Sequence, residues 1–313
     1  MSSPSWLRVT RRPARRQSCF TGRTLVTPDS AKLAEKKKRA LELLKDRRCV
    51  LVALSGGVDS AVLLSLALEA LGPDRVLAVT GWSPSVTNED LEDARAVART
   101  LGAKHKVVET HELSRPGYRA NEGDRCYHCR TELFEVLGGL AFREGLETIA
   151  YGAIQGDLED YRPGMKAASE RGIIAPLLEA GLTKQEVRLL ASEAGLPVQD
   201  KAASPCLSSR IPAGTEVNEE RLAQVAQAES AMRALGFQQF RVRYHGEVAR
   251  LELDDEGDRR ILDPEFRARV VEAIRGAGFR FVALDLEGYR SGSLNPSETA
   301  RFYRILPMRP GGQ

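Results

Sequence analysis

The sequence predicts a doubly wound α/β domain on a parallel sheet, followed by a smaller C-terminal α+β domain. Three observations predict it. Short apolar runs of strand length alternate with amphipathic segments of helix length from residue 31 to about residue 197. A Ser-Gly-Gly turn joins the first apolar run directly to a helix, as in an open parallel sheet that binds a ligand at its strand ends. Beyond residue 215 the order becomes helix, two strands, helix, strand, which suits a second unit of about 100 residues.

Taken in order, residues 31–48 read as a basic amphipathic helix, and Cys49-Val-Leu-Val-Ala-Leu54 is a continuous apolar run suited to a central parallel strand. A helix from Ser60 to Leu71 follows, then a strand (Val76 to Thr80), a helix (Asn88 to Leu101), a strand (Lys106 to Glu109), a helix (Arg125 to Arg143) and a strand (Thr148 to Tyr151). Ile173 to Pro176 reads as a further short strand. Thr183 opens a helix that Gly195-Leu196-Pro197 stops. Residues 200–215 show no periodicity and form a loop too long to be a mere connector in a compact domain. Then come a helix (Asn218 to Leu235), strands (Phe240 to Tyr244, Val248 to Leu253), a helix (Pro264 to Ala277) and a strand (Phe281 to Leu286). The expected domains are residues 29–211 and 212–313, with residues 1–28 as a basic, disordered extension.

Composition narrows the function. The 313-residue chain is 42% apolar and 28% charged, the balance of a soluble enzyme. No stretch approaches the roughly 20 apolar residues of a membrane span. Arg8, Arg11, Arg12, Arg15, Arg16 and Arg23 all precede the first acid, Asp29, and subtracting them from the net +3 leaves a body near −3. A nucleic-acid enzyme carries its excess positive charge on the folded surface, so a nucleic-acid partner is not expected. The tail itself also admits a transit peptide or a nucleic-acid arm. Five unevenly spaced cysteines without an apolar leader exclude a secreted disulfide framework and point to the reducing cytoplasm.

Ser55-Gly56-Gly57-Val58-Asp59-Ser60 lies between strand and helix, so unpaired N–H groups and the positive end of the helix dipole face the loop. Gly56 and Gly57 let the backbone approach an anion, and the Ser55 and Ser60 hydroxyls add donors. Asp59 would orient Mg²⁺ or cap the helix. The lysine of a Gly-x4-Gly-Lys-Ser/Thr loop is missing, so the loop is not built to transfer a γ-phosphoryl group, and cleavage between the α and β phosphates fits better. The hexapeptide resembles the PP-loop of the N-type ATP pyrophosphatases, in which ATP adenylates an oxygen and turns it into a leaving group.

Cys126 and Cys129 begin a predicted helix three residues apart and therefore share a face. The helix N-terminus, Arg125 and Arg130 should lower their pKa values. His128 leaves another side, which argues against a Cys-His-Cys zinc set. Cys206 lies in the irregular loop Lys201-Ala-Ala-Ser-Pro-Cys-Leu-Ser-Ser-Arg-Ile-Pro212, where a reactive thiol has access. Cys49 reads as core and Cys19 as incidental. Three thiolates are too few for a closed Cys₄ site but suit a [4Fe–4S] cluster with one iron open to hydrosulfide. The competing use is attack by Cys206 on an acyl-adenylate to form a thioester.

Taken together, the PP-loop, Arg125-Cys-Tyr-His-Cys-Arg130, Asp160-Tyr-Arg-Pro-Gly164, Ser204-Pro-Cys-Leu-Ser-Ser-Arg-Ile-Pro212 and Asp285-Leu-Glu-Gly-Tyr-Arg-Ser-Gly-Ser-Leu-Asn295 closely resemble the LarE family over roughly residues 31 to 295. The resemblance implies an adenine nucleotide alpha hydrolase-like fold, ATP and Mg²⁺ as cofactors, a sulfide donor and a hexamer. It also implies the conversion of pyridinium-3,5-biscarboxylic acid mononucleotide to its thiocarboxylate form, on the route to the nickel-pincer cofactor of lactate racemase. It casts Cys206 as the sulfur-handling cysteine, sacrificed to dehydroalanine in one branch. In the branch with two more cysteines, matched here by Cys126 and Cys129, it implies a [4Fe–4S] cluster, and this chain follows that branch.

Arg241 and Arg243 alternate along a predicted strand, so both guanidiniums leave one face and could clamp the substrate's phosphate, with Arg210 assisting. Glu229 and Glu252 match acidic positions of the family. The family's Gly-Thr-Asn with paired acids is replaced by Gly152-Ala-Ile-Gln-Gly-Asp-Leu-Glu-Asp160, leaving Asp157 and Asp160 to serve. The nearest rival is a tRNA-thiolating PP-loop enzyme, disfavoured by the acidic body; a further rival is a non-catalytic metal-binding regulator that senses ATP.

Overall fold

A computed structural model describes residues 30–158, 163–202 and 204–290. The elements run α1 (Ser30–Lys45), β1 (Val50–Ala53), α2 (Val58–Leu71), β2 (Val76–Trp82), α3 (Asn88–Thr100), β3 (Lys104–Glu109), α4 (Pro116–Ala120), α5 (Arg125–Glu144), β4 (Thr148–Tyr151), α6 (Pro163–Ser169), α7 (Pro176–Glu179) and α8 (Lys184–Glu193). The second half contributes α9 (Glu219–Ala234), β5 (Phe240–His245), β6 (Val248–Leu253), α10 (Asp255–Arg260), α11 (Pro264–Gly276) and β7 (Phe281–Leu284). The basic extension, Cys19, Glu159 to Arg162 and the stretch from Ser291 onward lie outside the described residues, so the readings placed on them are not addressed by this fold.

The first sheet is parallel throughout, in the order β3-β2-β1-β4. β1 is central and fully apolar because both its faces are covered. One face packs on α1, α2, α3 and α8, the other on α5 and α6. α2 is buried on nearly every side, as the run of Ala, Val and Leu from Val58 to Leu71 requires. The chain winds from β1 outward through β2 to β3, then returns to place β4 on the other side of β1. The strand order therefore reverses between β1 and β4, and the carboxyl ends at such a reversal form the crevice where open α/β sheets bind ligands.

The strand expected at Ile173 to Pro176 does not form. A single parallel bridge pairs Ile174 with Ala150, and Pro176 then takes the first turn of α7. Proline lacks the N–H a ladder needs and has the φ that starts a helix. α8 opens where expected, on a capping box between Thr183 and Glu186.

The second sheet runs β5-β6-β7, antiparallel and then parallel, against α9 and α11. Its core also takes in Tyr118 from α4 and Leu207 and Ile211 from the irregular loop. The loop that carries Cys206 is thus packed into the second core while it runs beside the first sheet.

Candidate active site

Residues 55–60 form a tight nest at the carboxyl end of β1. The Ser60 hydroxyl donates to the Gly57 carbonyl at 3.0 Å, accepts from the Ser55 N–H at 3.1 Å and lies 3.0 Å from the Ser55 hydroxyl. Gly56 has φ +75°, and a Cβ there would stand 2.2 Å from the Asp90 carbonyl oxygen, so no other residue fits. Across the strand reversal Gly152 approaches as closely: a Cβ on it would lie 2.7 Å from the Ser60 nitrogen. The first turn of α2, with Gly57 at its N-cap and no side-chain cap, opens into this space. Asp59 is held by Lys184, whose Nζ lies 2.8 Å from each carboxylate oxygen.

The irregular loop begins with Lys201, which ties it to the nest. Its ammonium donates to Asp90 at 2.7 Å and to the Gly56 carbonyl at 3.2 Å, and pairs with Asp93 at 2.6 Å. Burial by itself would depress this ammonium's pKa, but the hydrogen bonds it donates to the two aspartates, with their charges, outweigh burial and raise it. Further on, the Leu207 N–H donates to the Ser85 carbonyl just beyond β2, and the Ser208 hydroxyl lies 2.5 Å from the Tyr118 hydroxyl.

The three cysteines share one neighbourhood. Cys126 is exposed at the start of α5, while Cys129 and Cys206 are half-buried. The charges of Cys206 and Cys126 both act on the Cys129 thiol, and those of Cys206 and Cys129 on the buried Tyr118 phenol. Cys129 departs from expectation: its pKa is raised, not lowered. The cause is burial first, because its sulfur packs against the second core, and then the charges of Cys206 and Glu112; Arg130 pulls the other way and loses. Cys49 also departs, since it precedes β1, is partly exposed, and its Sγ donates to the Gly145 carbonyl at 3.5 Å.

Among the described residues, no three His, Cys, Asp or Glu side chains close on a single ion. A cubane asks for something different, three thiols spread around a larger body with one iron left open. Cys126, Cys129 and Cys206 match that donor set in identity and number.

The arginines are arranged less simply than their spacing suggests. Arg210 is fully buried and pairs with Glu229 through two hydrogen bonds of 2.8 and 2.9 Å, while its other end donates to the carbonyls of Pro205 and Cys206. Arg243 pairs with buried Glu252 at 3.0 and 2.8 Å and donates to the Ser209 carbonyl at 3.0 Å. Both therefore grip the sulfur loop. Arg241 donates to the Tyr289 hydroxyl at 3.1 Å and lies 5.0 Å from that ring's centroid. Burial and then the nearby Arg210 charge lower its pKa, which marks a crowded basic corner.

Sequence reasoning missed Lys184, Lys201, Asp90, Glu112 and Tyr118. Lys201 had a signal, as the first residue of the irregular loop. Glu112 had none: it is buried and accepts from Ser83 at 2.5 Å and Ser85 at 2.7 Å, a contact only the fold creates.

The NAD synthase family matches residues 39–123, which include the nest. The pyridinium-3,5-bisthiocarboxylic acid mononucleotide synthase of Lactiplantibacillus plantarum is 40% identical over 271 residues, 86% of this chain and 97% of that protein. The chain belongs to the LarE family. An uncharacterized protein of Synechocystis sp. is 44% identical over 245 residues, 78% of this chain and 91% of that protein. Likeness to the NH(3)-dependent NAD(+) synthetase of Pyrococcus furiosus, 40% over 72 residues, covers only 22% of this chain and 27% of that enzyme. The LarE match continues through the irregular loop into the second unit, so this is an ATP-dependent sulfurtransferase of the PP-loop type. Among the described residues of this LarE family member, no helix is long and apolar enough to cross a membrane.

Proposed function

We propose that the enzyme adenylates the carboxylates of pyridinium-3,5-biscarboxylic acid mononucleotide and exchanges the activated oxygen for sulfur, for use in a nickel-pincer cofactor. The observation that carries this reading is the tie between nest and sulfur loop: Lys201 on the Gly56 carbonyl at one end, Cys206 a few residues on.

Ser55, Gly56, Gly57 and Ser60 receive the phosphates of ATP on backbone and hydroxyl donors. Asp59, together with Mg²⁺, serves the departing pyrophosphate, with Lys184 beside it. The substrate carboxylate attacks the α-phosphorus and pyrophosphate leaves, so a very poor leaving group has become AMP. Sulfur then takes the place of AMP at the acyl carbon. Cys126, Cys129 and Cys206 would hold a [4Fe–4S] group, whose chemistry would be the supply of sulfide. Arg210 and Arg243, spent on Glu229 and Glu252, hold the loop that carries Cys206, and Arg241, in the same basic corner, meets the substrate's phosphate. A reducing cytoplasm, which keeps the thiols available, and a hexameric assembly belong to the same reading.

The test is incubation of the anaerobic full-length protein with ATP, Mg²⁺, sulfide and the biscarboxylate mononucleotide. AMP, pyrophosphate and thiocarboxylate are the expected products, and ADP would falsify the proposal. An anaerobic absorption spectrum of wild type beside Cys126→Ala tests the cluster: an iron–sulfur band lost in the variant supports it, and identical spectra reject it.

A further inference from the structure

Arg130 stands one helical turn after Cys126 on α5, so the two residues leave the same face. Its guanidinium lies 5.9 Å from the centroid of Phe134 and 5.6 Å from that of Tyr151. Gly164 closes another side, since a Cβ there would come within 2.8 Å of the arginine's Cγ. The side chain is therefore held in place by packing. Among the described residues, no carboxylate is paired with its guanidinium. Acids on the adjoining helices are already engaged, Glu135 by Arg115 and Arg171, and Glu170 by the Tyr127 hydroxyl.

Among the described residues, Arg210, Arg243 and Arg250 are spent on carboxylates. Arg130, braced by aromatic faces and with no carboxylate on its planar fork among the described residues, is preorganised for a pair of anionic oxygens. Its location names the anion. Tyr151, under the guanidinium, ends β4, and the next residue, Gly152, presses on the backbone of Asp59 and Ser60 in the nest. On the other side the Arg130 charge reaches Cys129. The guanidinium thus stands over the ring that precedes Gly152, on the helix that carries Cys126 and Cys129.

We infer that Arg130 is an anion-binding residue that receives paired oxygens at the reacting centre. Those oxygens belong either to the substrate carboxylate awaiting adenylation or to the α-phosphate of ATP. The inference rests on the sulfur-transfer reading of this site and adds to it a binding group outside the nest and outside the basic corner of Arg210, Arg241 and Arg243. A methionine in its place keeps the bulk over the rings and loses the donors; a lysine keeps the charge and loses the fork.

The experiment is steady-state pyrophosphate release by full-length wild type, Arg130→Met and Arg130→Lys, with KM measured separately for ATP and for the biscarboxylate mononucleotide. In Arg130→Met one of the two constants should rise at least about tenfold while the other holds, with Arg130→Lys between. A rise for the mononucleotide assigns the carboxylate, and a rise for ATP assigns the α-phosphate. Both constants within roughly twofold of wild type in Arg130→Met overturn the inference whatever happens to kcat. So does a matched loss in both variants that tracks a fall in melting temperature, since that is the mark of packing alone. Wild type that releases no AMP brings down the sulfur-transfer reading and this inference with it, and so is distinguishable from failure of Arg130 alone.

Discussion

At Cys129 two influences oppose one another. The start of a helix and neighbouring arginines favour the thiolate, while burial of the sulfur against the second core favours the thiol. Burial wins. A folded-state pKa above the unfolded value means that the unfolded chain loses its proton first, so stability is full below about pH 8.5 and declines as pH rises beyond it. In metal-free protein the melting temperature should therefore fall from about pH 8.5 upward, and less steeply in Cys129→Ala. Exposed Cys126 should be alkylated by iodoacetamide before Cys129 at pH 8, a difference that peptide mapping resolves. At Cys206, replacement by serine should leave pyrophosphate release within roughly threefold of wild type and abolish thiocarboxylate, because activation and sulfur delivery use different residues. That Cys126 and Cys129 open one helix was legible from the sequence. The raised pKa of Cys129 was not, because helix position is visible in a string of residues and the packing of one sulfur is not.

Individual elements carry their own predictions. In the nest, Gly56→Ala would force a residue with a Cβ into a left-handed conformation and against the Asp90 carbonyl. ATP affinity should drop at least about tenfold in a direct titration, about 1.4 kcal/mol or more. In the loop, Glu229→Gln leaves the Arg210 guanidinium buried without its counter-charge, and chemical denaturation should record a loss of about 3–5 kcal/mol. α3, α8 and α9 start on side-chain caps at Thr87, Thr183 and Asn218, and α2 and β1 were readable as apolar runs on either side of the Ser-Gly-Gly turn. The strand at Ile173 was misread because an apolar run before a proline looks the same whether it makes one bridge or a ladder. The short helices α4, α6, α7 and α10 were passed over, being too brief for a periodic signal. Arg241 and Arg243 alternate along β5 as read, yet that Arg243 meets Glu252 and Arg241 the Tyr289 hydroxyl depends on the pairing of β5 with β6 and on the chain beyond β7.

For the whole molecule, the reversal of strand order between β1 and β4 sets the nest, and the second core sets the sulfur loop. Lys201 joins them. Lys201→Met should accordingly reduce thiocarboxylate formation at least about tenfold more than pyrophosphate release, measured in one anaerobic assay. The two-part architecture was evident from the change of pattern after the irregular loop. That the loop belongs to both halves at once was hidden, because its ties are single side chains far apart in sequence. These ties also give the segment from Lys201 to Arg210 the character of a spacer cut to length. It is pinned at the nest by the Lys201 ammonium and at its other end by the Arg243 guanidinium of β5 and by the pair that Arg210 makes with Glu229 of α9, so one residue inserted before Cys206 would leave both halves folded and shift the sulfur along the loop.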